Sequence, residues 1–149
     1  MAVVVVDDHL LRDVLSGERD FELDGLARDG IVTTGLWLFR LCASFAEPTV
    51  VGKLSAPVAT LPGEVQARFR AQLISLPDEV RVLSLRDLSW PMAELQQRHR
   101  SEGRPLSAAM VEALAAAHRL HADIAVSERD VGPNLRDAAR SDGIDFHVL

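Results

Sequence analysis

Val3-Val4-Val5-Val6 is a run of four β-branched residues closed by the acidic pair Asp7-Asp8. So short an apolar run, with no polar alternation, reads as a strand covered on both faces. A strand of that kind belongs in a parallel sheet with helices on either side, and the rest of the chain has to supply those helices.

The remaining patterns do so. Leu10, Leu11, Val14 and Leu15 recur at helical spacing until Ser16-Gly17, and a second short helix is expected over Phe21 to Ala27, ending at Asp29-Gly30. Ile31 to Thr33 reads as a second strand. Leu36 to Ala46 is apolar on every side, which predicts a buried helix. Thr49 to Pro62 is small-residue chain broken by Gly52, Pro57 and Pro62, a loop with at most a turn of helix. Gly63 to Ile74 reads as an amphipathic helix, Val80 to Leu85 as strand three, and Pro91 to Gly103 as a helix. A long alanine-rich helix follows from Leu106 to His121, then strand four at Ile124 to Val126, a helix at Asn134 to Ser141, and strand five at Ile144 to Leu149. Strands separated by helices pair in parallel through right-handed crossovers, so the expected fold is a single three-layer α/β/α domain on a parallel sheet of four to five strands.

Composition narrows the function classes. With 48% hydrophobic and 26% charged residues in 149, the chain is an ordinary folding domain. No apolar run approaches the roughly 20 residues that span a bilayer, and nothing after Met1 reads as a secretory leader, so no membrane association is expected. The lone Cys42 excludes an internal disulfide and points to a reducing, cytoplasmic setting. A net charge of −6 gives no global field for nucleic acid, but a metal-dependent nuclease is locally acidic by necessity. All but one of the 16 bases are arginine, the exception being Lys53. Arginine forks phosphates and so suits RNA, although a GC-rich coding habit accounts for the bias more simply.

In an open parallel sheet, ligands bind beyond the carboxyl ends of the strands. Those ends carry Asp7, Asp8 and His9 after strand one, Thr33 and Thr34 after strand two, and Ser127, Glu128, Arg129 and Asp130 after strand four. Any one of the acids is also an ordinary helix N-cap. Two acidic clusters at one sheet edge suggest a site for a hard cation such as Mg²⁺ or Mn²⁺, which could activate water against a phosphodiester. Nucleotide-binding glycine fingerprints and a serine-hydrolase elbow are absent. His118 and His121 fit the dipole of a helix C-terminus as surface residues, Cys42 reads as inert core, and Trp37 and Trp90 as core or dimer-interface packing.

Val3 to Leu11 resembles the opening of PIN domains. Leu106-Ser107-Ala108-Ala109-Met110 through Ala117, then Ile124 to Asp130, resembles that family's alanine-rich helix, strand and acidic turn. Asn134 to Leu149, with Ala138-Ala139 before Gly143-Ile144, is similar to its closing helix and strand. The resemblance covers both ends of the chain, and the middle only by element order. It implies a PIN-like domain with Mg²⁺- or Mn²⁺-dependent ribonuclease activity, acting as the toxin of a toxin–antitoxin module, with RNA as substrate and a small antitoxin as partner; the apolar Leu36 to Phe45 helix and the tryptophans, not the resemblance, point to a homodimer. Of the family's acids, the first matches Asp7. The second falls near Phe39-Arg40, where no acid stands. The third falls by spacing on Met110, with Glu112 two residues on, and the fourth is Glu128 or, if Glu112 is the counterpart, Asp130. The implied catalytic set is Asp7, Glu112 and Glu128, with Asp7, Asp8, Glu128 and Asp130 as metal ligands. An arginine at close range would repel a cation by about 4 kcal/mol at an effective dielectric of about 20. The alternative is therefore a PIN-like module that has lost hydrolysis and binds RNA or protein through the same crevice.

Overall fold

The valine run becomes the central strand. In a computed structural model describing residues 2–149, five parallel strands form one sheet in the order β3-β2-β1-β4-β5. They are β1 (Val3–Val6), β2 (Gly30–Thr33), β3 (Val80–Val82), β4 (Asp123–Val126) and β5 (Phe146–Val148). The helices are α1 (Asp8–Leu15), α2 (Gly35–Ala46), α3 (Ala56–Ala59), α4 (Gly63–Ile74), α5 (Leu85–Ser101), α6 (Ala108–Leu120) and α7 (Pro133–Ser141), with a 3₁₀ turn at Glu128–Asp130. The architecture is the three-layer α/β/α arrangement the alternation of strands and helices predicts.

All four valines of β1 are buried, and they divide by pleat. Val3 and Val5 pack with Leu88 and Leu95 of α5, the alanines of α6, and Leu135, Ala138 and Ala139 of α7. Val4 and Val6 pack with Leu10, Leu11, Val14 and Leu15 of α1, Leu41, and Phe69 and Leu73 of α4. Small residues at Ala113, Ala115, Ala116 and Ala117 let α6 lie close against the strands.

Five expectations need correction. No helix forms over 21–27: Leu23, Asp24 and Gly25 take φ of 48°, 56° and 92°, left-handed values an α-helix cannot hold, and the segment is a series of turns. The helix expected to begin at Pro91 begins at Leu85, capped by the Ser84 hydroxyl, and carries Pro91 inside it. β3 stops at Val82. Helix α2 is not buried all round: Trp37 and Leu41 are its buried residues, and Phe39 is 67% exposed. Trp90 is likewise not core, being 74% exposed, whereas Cys42 is half-buried. Among the described residues no helix is long and apolar enough to cross a membrane.

Candidate metal centre

Sheet order changes direction at β1: the chain runs outward through β2 and β3, then returns to place β4 on the other side. Loops leaving β1 and β4 in opposite directions open a crevice at their carboxyl ends. Val6 of β1 lies level with Ala125 of β4, so residues 7–9 and 127–130 face one another there.

Asp7 closes the floor of the crevice. Its extended backbone makes it the N-cap of α1, and one carboxylate oxygen accepts from the Leu10 N–H at 2.9 Å. The other accepts from the Ser127 N–H at 3.0 Å, which stitches the end of β1 to the end of β4. Burial pushes its carboxyl up to about 7; the Leu10 and Ser127 N–H groups oppose the rise, and Asp8 and Asp130 add to it. Both oxygens are thus engaged with backbone, and Asp7 is a brace.

Asp8, one residue on, points into the crevice. One of its oxygens accepts from the His9 N–H at 3.0 Å, while Oδ2 is buried with no hydrogen-bond partner. Burial raises its carboxyl above the usual range, and Arg40 and His9 counter that. A buried carboxylate oxygen left unpaired is costly unless a cation completes it. Single ligand atoms from Asp8, His9 and Asp130 lie within 4.8 Å of one another, a cluster that could hold a metal ion.

Arg40 occupies the rim. Its Nε is 3.3 Å from Asp8 Oδ2, an ion pair without hydrogen-bond alignment, and its Nη2 is 3.9 Å from Asp130 Oδ2. The guanidinium is half-exposed.

Glu112 is fully buried and turned to another task. Its two oxygens accept from the Gly35 and Leu36 N–H groups at 2.9 and 3.0 Å, while the Thr34 hydroxyl takes the Trp37 N–H at 3.0 Å. The first three N–H groups of α2 are all satisfied, and a carboxylate sits at the positive end of its dipole. A Cβ at Gly35 would stand 3.4 Å from Glu112 Oε2, in van der Waals contact with it. Glu128 is exposed in the 3₁₀ turn, its own N–H donating to the Leu149 carbonyl. Of the residues expected at the site, the structure brings Asp8 and Asp130 into the cluster. Asp7, Glu112 and Glu128 are not in it, His9 is, and Arg40 pairs with it from the rim. Position after strand one was the signal available for His9, and the missing acid was the signal for Arg40.

A second polar cluster lies where α5, α6 and α7 end. Asp142 accepts two hydrogen bonds from Arg98, at 2.8 and 2.9 Å, and meets Nε2 of His118 at 2.7 Å and of buried His99 at 3.2 Å. Burial opposes its charge, but Arg98, His118 and His99 outweigh that and hold its carboxyl far below the usual range. His118 is therefore tied into an ion-paired network, while His121 is the exposed left-handed cap of α6. The network clamps three helix ends together.

No protein-family model matches the chain, and no curated protein sequence matches it.

Proposed function

We propose that the protein is a divalent-cation-dependent phosphodiester hydrolase of PIN type that cleaves RNA, as the toxin of a toxin–antitoxin pair. The observation that carries the reading is the buried Oδ2 of Asp8, which has no hydrogen-bond partner and only the rim guanidinium of Arg40 beside it, facing Asp130 across the point where the sheet order reverses. Asp8 and Asp130 would hold the ion. Two carboxylates with water completing the shell suit Mg²⁺ or Mn²⁺. Such an ion supplies Lewis-acid activation of water and offsets phosphate charge.

The chain's own residues arrange the rest. Asp7 fixes the separation of the two loops by gripping Leu10 and Ser127. Glu112 anchors the start of α2, and so sets where Arg40 stands. Arg40 balances Asp8 and Asp130 at rest; its half-exposed guanidinium can leave them to grip a phosphate bidentately. RNA as substrate and a small antitoxin as partner come from the likeness of Val3–Leu11 and Leu106–Asp130 to PIN domains.

Calorimetric titration with Mn²⁺, run beside cleavage of a mixed-sequence oligoribonucleotide, tests the reading. Saturable binding and cleavage, both lost in Asp8→Asn and in Asp130→Asn, are expected. Wild-type protein that neither binds Mn²⁺ at millimolar concentration nor cleaves would overturn it. The second reading, a module that binds without hydrolysis, is favoured by the Arg40 Nε only 3.3 Å from Asp8 Oδ2, since an arginine already neutralises the site. RNA binding without cleavage or Mn²⁺ uptake would select it.

A further inference from the structure

His9 is inside the cation cluster, yet its ring is oriented from behind by a donor. Arg12 is buried to 1% exposure, and its guanidinium is held by Asp13, which accepts from Nε at 2.8 Å and from Nη2 at 2.6 Å. The Leu54 carbonyl accepts from Nη1 at 3.5 Å. The same Nη1 stands 3.3 Å from His9 Nδ1 in hydrogen-bond alignment. A guanidinium has donors only, so Nδ1 must be the acceptor and carry the lone pair. In the neutral imidazole the proton then resides on Nε2.

That nitrogen is the one facing the crevice. The His9 side chain is 7% exposed, and Nε2 is 3.9 Å from Asp130 Oδ2, too far for a hydrogen bond. Its N–H thus has no hydrogen-bond partner and stands beside the Asp130 carboxylate at the cluster. Ligation of a cation by Nε2 would need the lone pair there and the proton on Nδ1, setting N–H against the N–H of a buried arginine. Metal-ligating histidines have the reverse arrangement, an acceptor behind the ring.

We propose that His9 is a hydrogen-bond donor to an anionic oxygen bound in the crevice, and not a ligand of the cation. Naming that oxygen as one belonging to an RNA phosphodiester rests on the hydrolase reading above; the donor assignment rests on Arg12 alone. The cation's protein ligands are then oxygens only, from Asp8 and Asp130. A nitrogen-free shell favours a hard ion such as Mg²⁺ or Mn²⁺ over zinc. Arg12, though it touches nothing in the crevice, is the positioning residue that decides this.

The test uses the whole protein and reads more than activity. In histidine-¹⁵N-labelled protein at neutral pH, long-range ¹H–¹⁵N spectra should show His9 protonated at Nε2 and bare at Nδ1, before and after Mg²⁺ is added. By calorimetry, His9→Gln, which keeps a donor, should bind Mn²⁺ within twofold of wild type. Affinity for a labelled oligoribonucleotide, measured by polarisation with Ca²⁺, should fall about tenfold in His9→Leu and be largely restored in His9→Gln, as loss of one buried hydrogen bond to a charged group implies. A lone pair on Nε2, a more than tenfold loss of Mn²⁺ affinity in His9→Gln, or unchanged oligoribonucleotide binding in His9→Leu would each overturn the proposal. Wild-type protein that takes up no Mn²⁺ would sink the hydrolase reading and leave the His9 tautomer to be decided by the spectra.

Discussion

Replacing Glu112 separates a structural carboxylate from a catalytic one. Its two oxygens receive the Gly35 and Leu36 N–H groups at 2.9 and 3.0 Å. A hydrogen bond to a charged group contributes about 1.5–3 kcal/mol net, and a carboxylate at a helix N-terminus about 0.5 kcal/mol more. Gly35 and Leu36 are only half-buried, so water can reach part of what a truncation exposes, and the lower end of the range applies. Glu112→Ala should therefore cost about 3 kcal/mol. Glu112→Gln keeps one acceptor but turns an amide N–H₂ toward the other backbone N–H, and should cost about 1.5 kcal/mol. Urea unfolding at pH 7 reads both values; Trp37, buried in the first turn of α2, reports through its fluorescence. Amide exchange at Gly35 and Leu36 should accelerate in parallel. If Glu112 instead served a cation, the ion-free Gln variant would be as stable as wild type or more so, and would bind Mn²⁺ less tightly. An Ala variant within 0.5 kcal/mol of wild type would refute the reasoning outright.

Three further outcomes follow from the same geometry. Arg40→Gln should tighten Mn²⁺ binding about tenfold, because only a fraction of the bare Coulomb repulsion survives at a half-exposed arginine; unchanged or weaker binding in calorimetry would contradict the ion pair with Asp8. Asp7 has a folded pKa of about 7 against 3.8 for the free group, so its contribution to stability is complete below pH 4 and is lost as pH rises through 7. Ion-free wild type should lose up to about 4 kcal/mol between pH 4 and 8 by urea unfolding, a slope Asp7→Asn should flatten. Asp142 is shifted the other way: its contribution is present above pH 3.8 and is lost as pH falls further toward its depressed value. Asp142→Asn should cost about 2 kcal/mol at pH 7 and weaken the acid dependence of thermal unfolding, because buried His99 loses its partner.

The parts of the fold that depend on apolar periodicity were legible in the sequence. Four adjacent valines can be buried together only between two helical layers, and alternation of strands with helices left parallel pairing as the consistent choice. Elements governed by single backbone angles were not. The spacing of Phe21, Leu23 and Ala27 imitates a helix, yet Leu23, Asp24 and Gly25 turn left-handed in succession, and only Gly25 hinted at it. Pro91 suggested a helix start, although Ser84 seven residues earlier offered the better cap and Leu88 is buried within the first turn. At the site, position after strands one and four was enough to find Asp8 and Asp130. The division of labour between Asp7 and Asp8 was not legible, since it depends on which carboxylate the Leu10 and Ser127 N–H groups face. Nor was the donor character of His9, which depends on where Arg12, three residues along, is held.

The hydrogen bond from Ser127 to Asp7 spans 120 residues, and β1 lies between β2 and β4, the latter made more than a hundred residues after it. At ordinary rates of synthesis, on the order of ten seconds separate the two. Throughout that interval the edge of β1 that β4 will cover is open, the brace has one end, and Asp8 has no Asp130 opposite it. The two halves of the candidate cation site meet only once β4 docks on β1, so an ion bound there stabilises the docked pair of strands and not the first acidic turn alone.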